Sequence, residues 1–218
     1  PKLILDHVYD HEAVQPGRVF LTQPIGGGAV VDYSWGRTVD EARRVAAHLR
    51  SLGIAPGARI AMLTKNCAHF VIAELAIWMA GGTTVAVFPT ETADNLRYVL
   101  EHSEASLLFV GKLDQWPQQA ASVPAGMPCI ALPLAPPTAQ MSIAERWDDI
   151  VARTAPLAGR PRRAADDLAM ICYTSGSTGQ PKGVMHNFGR ITRTIECMLA
   201  DPERQLPDGV PWRAISYL

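Results

Sequence analysis

"AHFVIAELAIWMAGGTTVAVF", Ala68 to Phe88, carries only His69 and Glu74 as ionisable groups. Two structures compete for such a stretch: a membrane span, or a buried helix followed by a turn and a strand. Gly81 and Gly82 decide between them, because they divide the run. A helix ending there has roughly 15 residues and a length of ~22 Å, short of the ~30 Å hydrocarbon core. The β-branched residues beyond the glycines suit a strand. The helix carries Phe70, Ile72, Leu75, Ile77, Trp78 and Met79 on nearly all sides, so burial on most faces is expected. No transmembrane segment is expected.

The same rhythm extends in both directions. "AVVDYSWGRTVDEARRVAAHLRSLG" predicts a short strand at Val30 to Tyr33, then a helix. Thr38 is its expected N-cap, with Glu41 completing a capping box and Gly53 as the stop. Ala42, Val45, Ala46 and Leu49 recur at helical spacing. "ARIAMLT" is a strand, and Asn66 is placed to cap the helix that follows it. "TADNLRYVLEHSEA" is an amphipathic helix with Leu96, Val99 and Leu100 inward, and "SLLFVG" is another strand. Strands alternating with helices predict an α/β fold, a mainly parallel sheet flanked by helices.

These βα units occupy 3–111. From Lys112 the pattern loosens, and 112–165 reads as irregular and linker-like, with one strand at Cys129 to Leu132 and a short helix in "SIAERWDDIVAR". Arg160, Arg162 and Arg163 face Asp166 and Asp167 in sequence and read as a solvated run rather than an anion site. The last region, 166–218, has a strand in "DLAMICYT", a strand-like "GVMHN" and a helix in "FGRITRTIECMLA". Phe188, Ile191, Ile195, Met198 and Leu199 form an apolar stripe on that helix.

Composition narrows the function classes. Hydrophobic residues make up 48% and charged ones 19%, enough to bury a real core. The formal net charge of −1 gives no basic field for nucleic acid or an anionic membrane. Cys67, Cys129, Cys172 and Cys197 lie far apart without a CxxC pair, which argues against a zinc site or a disulfide framework. They read as small buried hydrophobes in a reducing, cytoplasmic compartment. No secretory signal opens the chain. His7 and His11 have a helical ligand spacing but no third ligand, so no metal site is assigned. Trp35 and Trp78 read as packing residues, and Gly26 to Gly28 as a turn.

Between the last two strands lies "TSGSTGQPKG", Thr174 to Gly183. Gly176, Gly179 and Gly183 permit positive φ, so successive N–H groups can converge into an anion-binding nest. Thr174, Ser175, Ser177 and Thr178 add hydroxyls, and Lys182 adds a full charge. The composition alone would equally suit a solvated turn; the placement between two apolar segments favours a site. The order "GSTGQPKG" is not a Walker loop, which needs GxxxxGK[ST] opening directly into a helix. His186 follows closely and reads as structural.

"YTSGSTGQPKGVMH" closely resembles the phosphate-loop signature of the adenylate-forming (AMP-binding) superfamily. "YSWGRTVDEARRVAAHLRSLGIAPGARIAML" and "AELAIWMAGGTTVAVFPTETADNLRYVLEHSEASLLFV" resemble its opening strand and helix and its next two βα units. The likeness is nearest to the fatty acyl-CoA synthetases. It implies the N-terminal subdomain of the acyl-CoA synthetase-like fold, and a two-step reaction. A carboxylate attacks the α-phosphate of ATP to give acyl-AMP and pyrophosphate, and coenzyme A then takes the acyl group. Thr174, Ser175, Gly176, Ser177, Thr178, Gly179 and Lys182 would contact the phosphates, Lys182 stabilising the departing pyrophosphate with help from Mg2+. The adenine, ribose and metal motifs and the C-terminal lysine of the family have no counterpart here. The chain, 1–218, is therefore expected to be a partial adenylation domain, inactive alone, with Leu218 inside an apolar strand. Uncovered apolar surface would favour self-association, with a homodimer as one form. Two alternatives stay open: a non-catalytic nucleotide- or partner-binding module, and an adenylation domain that loads another thiol carrier.

Overall fold

A computed structural model describes residues 2–175, 180–200 and 214–216, Ser175 by its backbone alone. Helix α1 (Ile4–Val14) opens the chain, followed by an antiparallel hairpin of β1 (Val19–Gly26) and β2 (Ala29–Ser34). Gly26, Gly27 and Gly28 all have positive φ, which is why the turn is built of glycine. β2 runs straight into α2 (Trp35–Ser51). The expected cap at Thr38 is corrected here. Ser34 is the N-cap, its Oγ accepting from the Arg37 N–H at 3.2 Å. Trp35 stacks between His11 and Phe20 and pins the first turn, leaving Thr38 buried inside the helix.

Next come β3 (Arg59–Leu63), α3 (Ala68–Ala80), β4 (Thr83–Val87), α4 (Ala93–His102) and β5 (Ala105–Val110). The two glycines after α3 have separate tasks. Gly81 takes the left-handed C-cap conformation, φ 98°. Gly82 is glycine for room: a Cβ there would lie 3.1 Å from Ile77 and 3.2 Å from the Ala58 carbonyl. At 13 residues, α3 is ~20 Å long. Among the described residues no helix is long and apolar enough to cross a membrane. Asn66 does not cap α3. Cys67 is the N-cap position, and the Ala68 N–H donates to Gln23 Oε1 of β1 at 2.8 Å. Asn66 instead donates to Ser216 Oγ at 2.7 Å.

The stretch 112–165 is more regular than its sequence suggests. It contains α5 (Trp116–Ala120), β6 (Cys129–Ala131), α6 (Pro137–Ser142), β7 (Glu145–Arg146) and α7 (Trp147–Arg153). The chain then enters β8 (Leu168–Ser175), β9 (Pro181–Asn187) and α8 (Phe188–Ala200).

Seven strands form one sheet in the order β7-β6-β5-β3-β4-β8-β9. Every neighbouring pair is parallel except β8 and β9. Alternation along β3 explains the layers: Ile60 and Met62 join one apolar cluster, Ala61 and Leu63 the other. The first cluster packs against α1, α2, α3 and α7, the second against α4, α5 and α6. A sheet covered on both faces needs continuously apolar strands, and β3 and β5 supply them.

Candidate active site

β8 and β9 form the hairpin that carries the predicted loop. Their register pairs Tyr173 with Gly183, Thr174 with Lys182 and Ser175 with Pro181. Since β8 runs parallel to β4, the hairpin opens at the carboxyl ends of the parallel strands, where α/β sheets place their ligands. Pro181 is the first residue of β9, the strand position that tolerates a missing N–H. Gly176, Ser177, Thr178 and Gly179 lie outside the described residues. Of the expected phosphate contacts, the structure thus brings together Thr174 and Lys182, cross-strand neighbours with exposed side chains. No carboxylate among the described residues pairs with Lys182. An exposed, unneutralised ammonium beside a hydroxyl suits an anion.

Gly183 corrects one expectation. It does not occur among the glycines with positive φ. Its role is steric: an added Cβ would lie 2.9 Å from Ile171 Cγ2 and 3.3 Å from Tyr173 Cζ. The Tyr173 ring therefore lies flat against the root of the loop. Its hydroxyl is 2.7 Å from Nδ1 of His102 at the end of α4. Burial pushes the Tyr173 phenol above its ordinary value, and the nearby Tyr98 adds to this while Arg59 opposes it.

Other charged groups are tied into the scaffold. Arg163 was expected on a solvated face, yet its side chain is buried. It pairs with Asp167 at 2.9 Å, donates to the Gly82 carbonyl at 2.6 Å and covers the Phe188 ring at 4.9 Å. Arg160 and Arg162 face Asp10 and Asp6 of α1 at 3.9 and 3.8 Å, rather than Asp166. Glu41 sits buried between α2, α3 and α7. Arg37 Nε donates to it at 2.9 Å and Trp147 Nε1 at 3.1 Å, while His69 Nε2 lies 3.5 Å away. Burial alone would raise the Glu41 carboxyl, but His69, Arg37 and Trp147 together hold it below the ordinary value. Glu74 on α3 has the opposite balance. Its Oε1 is shielded and has no hydrogen-bond partner among the described residues, and burial pushes its carboxyl up to about 8.

His186 pairs with Met170, four residues and so ~13 Å along the strand from Lys182. His11 stacks on Trp35 and lies 2.9 Å from Gln15 through Nδ1. Trp78 packs against Phe188 and donates to the Ala169 carbonyl. Cys67, Cys129 and Cys172 are half-buried free thiols, but Cys197 is exposed, against expectation, because α8 presents it outward. Residues 214–216 have no strand structure and Ile215 is 91% exposed; Leu218, expected inside an apolar strand, lies outside the described residues.

Residues 8–212 match the AMP-binding enzyme family. The chain belongs to that family. Over 192 residues this AMP-binding chain is 30% identical to long-chain-fatty-acid–CoA ligase FadD15 of Mycobacterium bovis, covering 87% of the chain and 32% of FadD15. It is 34% identical over 156 residues to 4-hydroxybenzoate–CoA/benzoate–CoA ligase of Rhodopseudomonas palustris, covering 70% of the chain and 28% of that ligase. It is also 35% identical over 148 residues to tyrocidine synthase 2 of Brevibacillus parabrevis, covering 67% of the chain and 4% of the synthase. The chain spans about a third of the length of the FadD15 relatives. The fold matches the crystal structure of a benzoate CoA ligase from Burkholderia xenovorans, TM-score 0.74 at 22% identity, over 93% of this chain and 37% of that one. The family and the fold expected from the loop signature are both confirmed.

Proposed function

We propose that the full-length protein is an ATP-dependent carboxylate–CoA ligase, of which these residues form the phosphate-binding part of the adenylation domain. The observation that carries the reading is the pairing of Thr174 with an exposed Lys182, which no carboxylate among the described residues neutralises, at the mouth of the β8–β9 hairpin, in a chain of the AMP-binding family. A carboxylic acid attacks the α-phosphate of ATP, and acyl-AMP forms as pyrophosphate leaves with growing negative charge. Lys182 stabilises that charge, with Thr174, Ser175, Gly176, Ser177, Thr178 and Gly179 as further donors. A preorganised cation acts most strongly here because it needs no reorganisation as the charge develops. The thiol of coenzyme A then displaces AMP and takes the acyl group. Among the described residues no three His, Cys, Asp or Glu side chains gather to hold a metal. Mg2+ would bind the phosphates of ATP and share in neutralising their charge.

The acid is a fatty or aromatic carboxylate on the strength of the relatives' names. A second reading, loading of a carrier-bound thiol, is favoured by the 35% identity to tyrocidine synthase 2. The same proposal puts the protein in the cytoplasm. It includes a homodimer, supported by exposed Ile195, Met198 and Leu199 on α8 and checked by sedimentation. The ligase reading is tested by pyrophosphate release from the full-length protein with ATP and a panel of carboxylic acids. Turnover that requires coenzyme A supports it. Adenylation without transfer to coenzyme A favours the carrier reading, and no adenylation of any acid refutes both.

A further inference from the structure

Tyr173 occupies a position that the phosphate chemistry does not use directly. It is the residue before Thr174, and in the hairpin register it lies opposite Gly183, the residue after Lys182. One ring therefore touches both roots of the loop, and at Gly183 it and the Ile171 side chain together leave no room for a Cβ. Tyr173 is almost fully buried, 3% exposed as a residue, and a buried tyrosine hydroxyl needs a hydrogen-bond partner. That partner comes from the opposite layer. His102 is the last residue of α4, its Nδ1 2.7 Å from the Tyr173 hydroxyl. The imidazole itself is exposed, yet it is held in place: it stacks on Tyr98, one turn earlier, at 5.1 Å and 23°, and meets the Tyr173 ring edge-on at 5.9 Å. The hairpin otherwise joins the sheet through β4 alone, while β9 lies at the edge of the described sheet.

We infer that His102 and Tyr173 act as positioning residues, a clamp that ties the roots of the phosphate loop to α4 and sets the place of Thr174 and Lys182. The inference rests on the ligase reading for its kinetic consequence, but not for its structural one. The clamp acts before pyrophosphate leaves, so adenylation depends on it and thiol transfer does not. It also acts through one bond, so removing either end has the same effect as removing both.

The test uses the full-length protein with His102→Ala, His102→Gln, Tyr173→Phe and the His102→Ala/Tyr173→Phe double variant. Tyr173→Phe keeps the packing of the ring, and His102→Gln keeps an acceptor for the hydroxyl. His102→Ala and Tyr173→Phe should each slow ATP–pyrophosphate exchange by about tenfold, the rate equivalent of one hydrogen bond. The double variant should be no slower, His102→Gln should recover most of the rate, and thiol transfer from pre-formed acyl-AMP should stay unchanged. Equal loss in both half-reactions, additive losses, or unchanged exchange would overturn the clamp. Hydrogen exchange of the amides of Tyr173 to Ser175 and Lys182 to Val184 provides a readout independent of activity. Their protection should fall in His102→Ala and Tyr173→Phe and return in His102→Gln; unchanged protection would overturn the clamp even if no acid is adenylated. A wild-type protein that adenylates nothing refutes the ligase reading and leaves this arm decisive.

Discussion

Two regions of the molecule treat charge in opposite ways. At the junction of α2, α3 and α7, Glu41 is buried and surrounded by Arg37, Trp147 and His69. At the mouth of the β8–β9 hairpin, Lys182 is exposed and opposite Thr174 in register, and no carboxylate among the described residues pairs with it. Both look like functional residues in a sequence, since both are ionisable and lie beside other polar groups. Geometry separates them. A group whose partners are all supplied by the protein has little left to offer a ligand, and its contribution is to stability. A group left uncompensated beside the carboxyl ends of the parallel strands is available for a ligand.

The comparison breaks most sharply at Lys182. Lys182→Ala in the full-length protein should slow the pyrophosphate-forming half-reaction roughly 30- to 1000-fold, corresponding to ~2–4 kcal/mol. Thiol transfer from pre-formed acyl-AMP should change little, and the melting temperature should hold. Equal losses in both half-reactions would contradict the role.

Glu41→Ala should do the reverse. It leaves the buried Trp147 N–H and His69 without their acceptor, and a loss of about 2–4 kcal/mol in unfolding free energy is expected, measured by denaturant titration. Adenylation per folded molecule should stay near wild type. Gly183→Ala lies between the two regions in kind. Its methyl would press on Ile171 and Tyr173, costing about 1–3 kcal/mol by overpacking, and adenylation should fall as well because the root of the loop moves.

A pH-dependent effect concerns Glu74, whose carboxyl is raised to about 8 by burial. The folded chain keeps a proton that the unfolded chain loses near ~4.3. Stability at this site is therefore greatest below that value, falls as pH rises toward about 8, and is flat above. Glu74→Gln should flatten the pH dependence and stabilise the chain at pH 8. An unchanged slope would show that the carboxyl finds a partner.

Much of this was legible from residues alone. The division at Gly81-Gly82 and the apolar strands of the parallel sheet depend on local pattern and appear where the sequence puts them, and the loop signature pointed to the family that matches. What escaped depends on contacts between distant segments. α3 is capped by Gln23, 45 positions away, a partner that no N-cap rule can reach from Asn66. Arg163 looked solvated because its carbonyl partner Gly82 is 81 positions away in sequence. β7 spans two residues, too few for any periodicity. Gly183 resembled a φ-driven glycine, and the Ile171 and Tyr173 side chains packed over it reveal a steric one.

The most direct test of the contrast is the rise in melting temperature caused by pyrophosphate, compared in wild type, Glu41→Gln and Lys182→Ala of the full-length protein. A ligand at a hundred times its Kd stabilises the state it binds by about 2.7 kcal/mol. Wild type and Glu41→Gln should gain the same increment, from different starting temperatures, and Lys182→Ala should lose most of it from an unchanged one. An undiminished increment in Lys182→Ala would contradict the assignment of this lysine to the phosphate site.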